Sequence, residues 1–203
     1  MVVVRTRLTA YSTVKEAIEV MSIPDELELR FAGIKLLAAD VDGVLTDSGM
    51  YYSEHGDELK KFNTRDGKGI ELLRENGVRV VFVTSESTQL VKRRARKLGI
   101  DALYQGVRDK AAVIEQLIVK YGISRGEIAY IGDDVNDLAA LRTVGVAITV
   151  ADGLLENRRM ADYVTQARGG EGAVREVATL ILTAKANAAS SASALKHNGA
   201  PPR

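Results

Sequence analysis

Short apolar runs alternate along this chain with segments of helical spacing, and this alternation constrains the fold more than any other feature. The clearest apolar runs lie at residues 34–39, 78–83, 127–131 and 144–150, and helical spacing is found at residues 67–75, 88–98, 110–121, 137–142 and 173–182. Continuously apolar runs are typical of parallel strands that are covered on both faces. The sequence therefore predicts an α/β fold with a Rossmann-like, doubly wound parallel sheet and right-handed crossovers.

This pattern divides the chain into a domain at residues 34–182, an N-terminal extension at residues 1–33 and a tail at residues 183–203. Within the extension, residues 13–21 have helical spacing that ends before Pro24. The tail is rich in Ala and Ser and has no sustained apolar face, which predicts disorder. Residues 50–53 and 58–62 flank a turn at His55-Gly56-Asp57, which predicts a hairpin.

The amino-acid composition argues against several kinds of functional site. The 203 residues include no Cys and two His, and the net charge is +1 from 28 basic and 27 acidic residues. Disulfides, thiolate catalysis, Cys-ligated zinc and multi-His sites are therefore excluded or disfavoured. The balanced charge argues against a nucleic acid or membrane partner. Residues 1–11 lack the apolar stretch of a signal peptide, so we expect a cytoplasmic protein with no membrane span.

Polar clusters follow three of the predicted strands. Asp40 and Asp42 follow the first strand, Thr84 follows the second, and Asp133 begins an acidic cluster after a later one. In an open parallel sheet, ligands bind outside the carboxyl ends of the strands, so these distant residues are expected to converge. If the extended backbone continued past Asp40, the side chains of Asp40 and Asp42 would point the same way.

Carboxylates brought this close repel one another unless a cation lies among them. Oxygen ligands without His or Cys favour Mg²⁺. Taken singly, each feature has an ordinary explanation: a surface turn for Asp40 and Asp42, a helix cap for Asp133, and a solvated helix residue for Lys110. Together, a lysine, a hydroxyl and a Mg²⁺ site around an aspartate nucleophile point to phosphoryl transfer.

The full set of motifs resembles a known family. The segments D-V-D-G-V-L-T-D from residue 40, Thr84, Lys110 and G-D-D-V-N-D from residue 132 are similar to the four motifs of the haloacid dehalogenase superfamily of phosphatases. The segments K-K-F-N-T-R-D-G-K-G-I, L-Y-Q-G-V-R-D-K and G-G-E-G-A-V-R-E resemble its capless subfamily, which acts on phosphates of 3-deoxy-ulosonic acids. This likeness covers about residues 34–182.

The resemblance implies a role for each catalytic residue. Asp40 would attack phosphorus and form an aspartyl-phosphate. Asp42 would protonate the leaving sugar oxygen and then deprotonate the water that hydrolyses the intermediate. Thr84 and Lys110 would bind the phosphoryl oxygens.

The resemblance also implies a metal site. Mg²⁺ would be bound by the carboxylates of Asp40 and Asp133 and by the backbone carbonyl of Asp42. Asp134 and Asp137 would orient the lysine and bound water without contacting the metal themselves.

The motifs give mixed indications of the substrate. Thr84-Ser85-Glu86 resembles the Thr-Gly-Glu of nononate 9-phosphate phosphatases more than the Thr-Gly-Arg of octulosonate 8-phosphate phosphatases. Arg94 and Lys97 match residues that meet the carboxylate of the substrate in the nononate enzymes, and the glutamate would accept hydrogen bonds from hydroxyls. Thr64 resembles the nononate enzymes, whereas Arg65 resembles the octulosonate ones. We favour a nonulosonate 9-phosphate as substrate, with octulosonate 8-phosphate as the alternative.

The same resemblance implies self-association. In capless members a neighbouring subunit closes the site, and a hairpin like the one predicted at residues 50–62 builds a homotetramer. The glycine-rich segment at residues 169–172 resembles one that approaches an adjacent site. Two other functions stay open: a non-catalytic oligomerisation domain, as in animal CMP-sialate synthetases, and a related phosphatase with a different or broad substrate range.

Overall fold

The computed structural model describes residues 23–56 and 58–197, and these form a six-stranded sheet, a two-stranded hairpin and seven α-helices. The strands are β1 (Leu36–Ala39), β2 (Tyr51–Tyr52), β3 (Glu58–Leu59), β4 (Arg79–Val83), β5 (Ala102–Tyr104), β6 (Ile128–Gly132), β7 (Val146–Thr149) and β8 (Tyr163–Val164). The helices are α1 (Asp25–Ala32), α2 (Thr64–Glu75), α3 (Gln89–Leu98), α4 (Lys110–Tyr121), α5 (Leu138–Leu141), α6 (Leu155–Met160) and α7 (Ala173–His197). The alternation of strands and helices confirms the predicted fold class.

The strand order places the polar clusters side by side. The large sheet has the order β5-β4-β1-β6-β7-β8, and each neighbouring pair is parallel. Ala39, the last residue of β1, lies opposite Phe82 of β4 and Ile131 of β6. The carboxyl ends of these three central strands therefore meet at one edge of the sheet, as open α/β sheets require for a shared site.

Both faces of the sheet are covered, which explains why β1 is apolar throughout. Leu37 and Ala39 face the apolar layer formed with α1, α2, α3 and α7. Leu36 and Ala38 face the layer formed with α4 and α5. All four side chains are fully buried. Successive residues of a strand point to opposite faces, so a strand buried on both sides has no polar position.

The two ends of the domain differ from the prediction. Helix α1 lies within the predicted extension, and its Phe31 is fully buried against the core. Helix α7 continues to His197 instead of ending near residue 182. Lys185 Nζ donates to the carbonyl of Ala32 at 2.9 Å, and Asn187 donates to Glu28 at 2.7 Å. Alanine has the highest helix propensity, and these contacts with α1 stabilise the extra turns.

Other expectations have mixed outcomes. The hairpin is present but short, because β2 and β3 pair over two residues each and Phe62 instead bridges to Thr46. Helix α6 was not predicted from its spacing. The predicted helix at residues 13–21 and the end of the tail, residues 198–203, lie outside the described residues. Within those residues, no helix is both long and apolar enough to cross a membrane.

Candidate active site

The loop after β1 brings Asp40 and Asp42 to the edge of the sheet. Asp40 extends the sheet by one hydrogen bond, from its N–H to the carbonyl of Ile131 at 3.0 Å, and its side chain is buried. The strand ends at Ala39 and the chain then turns, so the two carboxylates do not share the environment that an extended backbone predicts. Asp40 contacts Lys110, whereas Asp42 Oδ1 lies 2.5 Å from Nζ of Lys60.

Gly43 allows this loop to approach the acidic cluster after β6. Its φ is +90°, a conformation that side chains disfavour, and a Cβ there would lie 1.9 Å from Asp133 Oδ2. Any residue other than glycine would therefore separate the two loops. The glycine in the D-V-D-G motif is what brings Asp133 next to the loop of Asp40.

Lys110 connects the nucleophile candidate to the acidic cluster. Its Nζ lies 2.8 Å from Asp40 Oδ1 and 2.6 Å from Asp137 Oδ1, and its side chain is fully buried. It begins α4 directly after Asp109, whose side chain caps that helix by accepting from the N–H of Ala112. Burial by itself lowers the pKa of Lys110, but the charges of Asp40 and Asp137 outweigh it and raise that pKa. The ordinary reading, a solvated helix residue, is therefore excluded.

Asp137 is the most heavily hydrogen-bonded carboxylate of the site. It is fully buried. Its Oδ2 accepts from the N–H groups of Asp133 at 3.0 Å and Asp134 at 3.3 Å. Its Oδ1 accepts from Lys110 and from the hydroxyl of Tyr130 at 2.5 Å. Asp137 thus contacts Lys110 directly. Asp134 instead caps the short helical turn that follows it, through the N–H of Val135.

The carboxylates form a site that suits a divalent cation. Oxygens of Asp40, Asp133 and Asp137 lie within 4.8 Å of one another, and Asp133 Oδ1 is buried without a hydrogen-bond partner. Burial, followed by repulsion from Asp137, raises the pKa of Asp40 to about 7. Burial and repulsion from Asp40 raise the pKa of Asp133 to about 8. A hard cation would offset these costs.

Within this group, Asp40 and Asp133 are the better ligands. Four donors already occupy both oxygens of Asp137. Asp42 does not belong to the group, since its carboxylate faces Lys60, and only its backbone carbonyl was predicted as a ligand. The residues present therefore fit Mg²⁺ at the predicted position.

Thr84 and Glu86 lie beyond the end of β4. Thr84 is buried, and its hydroxyl accepts from the N–H of Glu86 at 3.1 Å. Because β4 is the direct neighbour of β1, the register places Thr84 at the same edge of the sheet as Asp40. The side chain of Glu86 is in an exposed loop.

The four residues predicted to bind substrate are not all brought together. Thr64, Arg94 and Lys97 line a cleft of about 560 Å³ between α2 and α3, whereas Glu86 does not line it. Arg94 donates to the carbonyl of Asn63 at 2.8 Å and lies 5.4 Å above the ring of Phe62. Part of its guanidinium therefore serves to join the two helices.

Sequence reasoning missed three polar residues at the site. Tyr130 lies in the middle of β6, Lys60 follows β3 with a fully buried side chain, and Asn157 on α6 donates to the carbonyl of Asp134 at 2.8 Å. The tyrosine interrupts an otherwise apolar strand, which is the only local signal among the three. Lys60 and Asn157 resemble ordinary surface residues until the tertiary structure buries them.

Comparison with known proteins identifies the family. The sequence profile of the haloacid dehalogenase-like hydrolases matches residues 66–145. The 3-deoxy-D-manno-octulosonate 8-phosphate phosphatase KdsC of Yersinia pestis is 42% identical over 163 residues, which is 80% of this chain and 87% of that protein. The chain belongs to the haloacid dehalogenase-like hydrolases. Its relatives in this family are phosphatases, so it is a phosphoric monoester hydrolase, and its cofactor is Mg²⁺.

Further relatives of this hydrolase refine the comparison. KdsC of Escherichia coli K12 is 44% identical over 154 residues, or 75% of this chain and 81% of that protein. The crystal structure of the Moraxella catarrhalis octulosonate phosphatase, in complex with magnesium, phosphate and KDO, superposes with a TM-score of 0.79 at 40% identity. It covers 85% of this chain and 99% of that one. Among the described residues, only the short β2–β3 hairpin is inserted where a cap would lie, as expected for a capless member.

These relatives do not support the substrate favoured from the sequence. The relatives and the Moraxella structure are named for octulosonate 8-phosphate, not for a nonulosonate. The favoured reading relied on Glu86, Thr64, Arg94 and Lys97. The structure places the first in an exposed loop and the others in a cleft between helices.

Proposed function

We propose that this protein hydrolyses 3-deoxy-D-manno-octulosonate 8-phosphate to the free sugar acid and inorganic phosphate. The substrate assignment rests on sequence identities of 42% and 44%, over three quarters or more of the chain, to 3-deoxy-D-manno-octulosonate 8-phosphate phosphatases. The Moraxella neighbour, whose crystals contain magnesium, phosphate and KDO, supports the same assignment.

In this proposal Asp40 is the nucleophile. Its carboxylate attacks phosphorus, the bond between phosphorus and the sugar oxygen breaks, and an aspartyl-phosphate forms. Lys110, 2.8 Å from Asp40, neutralises the attacking carboxylate and, with Thr84, binds phosphoryl oxygens. Asp40, Asp133 and the backbone carbonyl of Asp42 would hold Mg²⁺, which would supply positive charge to stabilise the negative charge on the phosphoryl oxygens. Asp40 attacks as the carboxylate, so the positive charge of Lys110 favours the reactive form.

Asp42 is the proposed general acid and base. It gives its proton to the departing sugar oxygen and then takes a proton from the water that hydrolyses the aspartyl-phosphate. The water oxygen bonds to phosphorus, the bond between phosphorus and Asp40 breaks, and phosphate leaves with Asp40 again a carboxylate. The buried Nζ of Lys60, 2.5 Å from Asp42 Oδ1, fixes this side chain apart from Asp40. Asp137 holds Lys110 in place through its Oδ1, and it holds the loop of Asp133 and Asp134 through its Oδ2.

The test is a comparison of kcat/KM on octulosonate 8-phosphate and on nononate 9-phosphate, each with and without Mg²⁺. We expect a preference of at least about tenfold for the octulosonate, which corresponds to about 1.4 kcal/mol of transition-state binding. A preference for the nononate, or none, would contradict the substrate while leaving the phosphatase chemistry intact. The Asp40→Asn variant is the control, and retained turnover in that variant would remove Asp40 as the nucleophile and reopen the non-catalytic alternative.

The proposal includes assembly into a homotetramer through the hairpin. Tyr52 and Leu59 of the hairpin are 67% and 61% exposed, and Met50 and Tyr51 beside them are also exposed. Large apolar side chains grouped on a projecting element are typical of an interaction surface. The double variant Tyr52→Ser, Leu59→Ser should shift the mass measured by light scattering from four subunits towards one. An unchanged mass, or a monomeric parent protein, would exclude this surface.

A further inference from the structure

Tyr130 is a buried tyrosine that the proposed chemistry does not use. It lies at the centre of β6, it is fully buried, and it is the largest such side chain among the described residues. Its neighbours in the strand are Ile128, Ala129, Ile131 and Gly132, so packing alone would accept a phenylalanine. A buried hydroxyl costs stability unless it is hydrogen-bonded. The hydroxyl of Tyr130 meets this need at Asp137, at 2.5 Å.

Through this contact, the hydroxyl of Tyr130 is linked to Lys110 by the carboxylate of Asp137. Asp137 Oδ1 accepts from both Tyr130 and Lys110, while Asp137 Oδ2 is fixed by the N–H groups of Asp133 and Asp134. Lys110 is in turn shared between Asp137 at 2.6 Å and Asp40 at 2.8 Å. A continuous chain of hydrogen bonds therefore runs from the core of the sheet to the proposed nucleophile.

We propose that Tyr130 is a positioning residue, whose hydroxyl fixes Asp137 so that Lys110 stays shared with Asp40. Without that hydroxyl, Asp137 Oδ1 has Lys110 as its remaining donor. The carboxylate then draws the ammonium group away from Asp40 or rotates towards the cation site. The residue acts through Asp137 and touches no substrate. The inference rests on the phosphatase chemistry proposed above but not on which sugar is the substrate.

The variant Tyr130→Phe removes the hydroxyl and leaves the ring. The chain offers a matched control, because the hydroxyl of Tyr163 also donates to a carboxylate, that of Glu176, at 2.7 Å and away from the catalytic residues. Both variants lose one hydrogen bond to a carboxylate, so both should lose a similar amount of stability. We expect Tyr130→Phe to lower kcat about tenfold with KM changed less than about twofold, and Tyr163→Phe to leave both constants unchanged.

The assay uses p-nitrophenyl phosphate with saturating Mg²⁺, so a failure of the octulosonate assignment would not affect it. Thermal unfolding in a Mg²⁺ titration without substrate gives a second readout, and Tyr130→Phe should need a different Mg²⁺ concentration for half of the stabilisation. Equal effects of the two variants on kcat, or a fall in KM alone, would refute the positioning role. Should the phenylalanine variant not fold, replacement of Tyr130 by 4-aminophenylalanine retains a donor. This replacement should keep most of the kcat of the parent protein, and a kcat about tenfold below that of the parent would also refute the role.

Discussion

Removal of the Lys110 charge should lower both the stability and the activity of the protein. The variant Lys110→Met keeps most of the side-chain volume but deletes a cation that lies 2.8 Å from Asp40 and 2.6 Å from Asp137 in a fully buried site. Removing one partner of a buried ion pair costs about 3–5 kcal/mol, because the other charge stays buried without compensation. For a domain of this size that corresponds to a fall of about 10 °C in the midpoint of thermal unfolding.

The size of this loss should depend on pH. Burial already raises the pKa of Asp40 to about 7 with Lys110 present, and loss of the lysine charge raises that pKa further. Above about pH 7 the folded parent releases the Asp40 proton, whereas the folded variant keeps it. The stability of the variant relative to the parent therefore falls as pH rises above about 7. The deficit in the free energy of unfolding should therefore be larger at pH 8 than at pH 6. Activity should be lost at both pH values, since a protonated Asp40 cannot attack.

The measurement is urea unfolding in EDTA at pH 6 and pH 8, together with phosphatase activity in Mg²⁺. The matched control is Lys35→Met, because Lys35 also lies 2.5 Å from a carboxylate, that of Glu127, but the lysine side chain is 56% exposed. Exposed ion pairs contribute little, so this variant should unfold almost as the parent does at both pH values. A Lys110→Met protein as stable as the control, or one that retains activity, would refute the reasoning.

Two further predictions concern the metal site and the loop above it. Since the pKa of Asp40 is raised to about 7 and that of Asp133 to about 8, Mg²⁺ must displace protons at lower pH. Calorimetric titration should show Mg²⁺ affinity falling about tenfold per pH unit for each proton displaced below pH 7, and a pH-independent affinity would exclude this linkage. A Cβ on Gly169 would lie 1.8 Å from the carbonyl oxygen of Gly43, so Gly169→Ala should shift the catalytic loop and lower kcat/KM on p-nitrophenyl phosphate at least about tenfold. Gly126→Ala, whose added Cβ meets nothing closer than 3.8 Å, is the control, and equal activity of the two variants would show that the contact is unimportant.

Where the sequence succeeded, the signal was local and repeated. Helix α4 has the bounds expected from the sequence, since a capping Asp109 and a following glycine define its two ends. The sequence did not predict helix α1 or the last turns of α7, because neither segment has a hydrophobic pattern that indicates a helix. These helices depend on each other, through the hydrogen bond from Lys185 to the carbonyl of Ala32 and through Phe31 in the core.

The sequence alone determined that this chain forms a doubly wound parallel sheet with acidic clusters at its strand ends, because strand periodicity and motif order are properties of neighbouring residues. The tertiary structure decided what those clusters do to one another. Only the fold places Lys110 between Asp40 and Asp137, directs Asp42 towards Lys60, and buries the hydroxyl of Tyr130 behind Asp137. Charge interactions and hydrogen bonds depend on distances of a few ångströms between residues far apart in the chain, and those distances are set by packing.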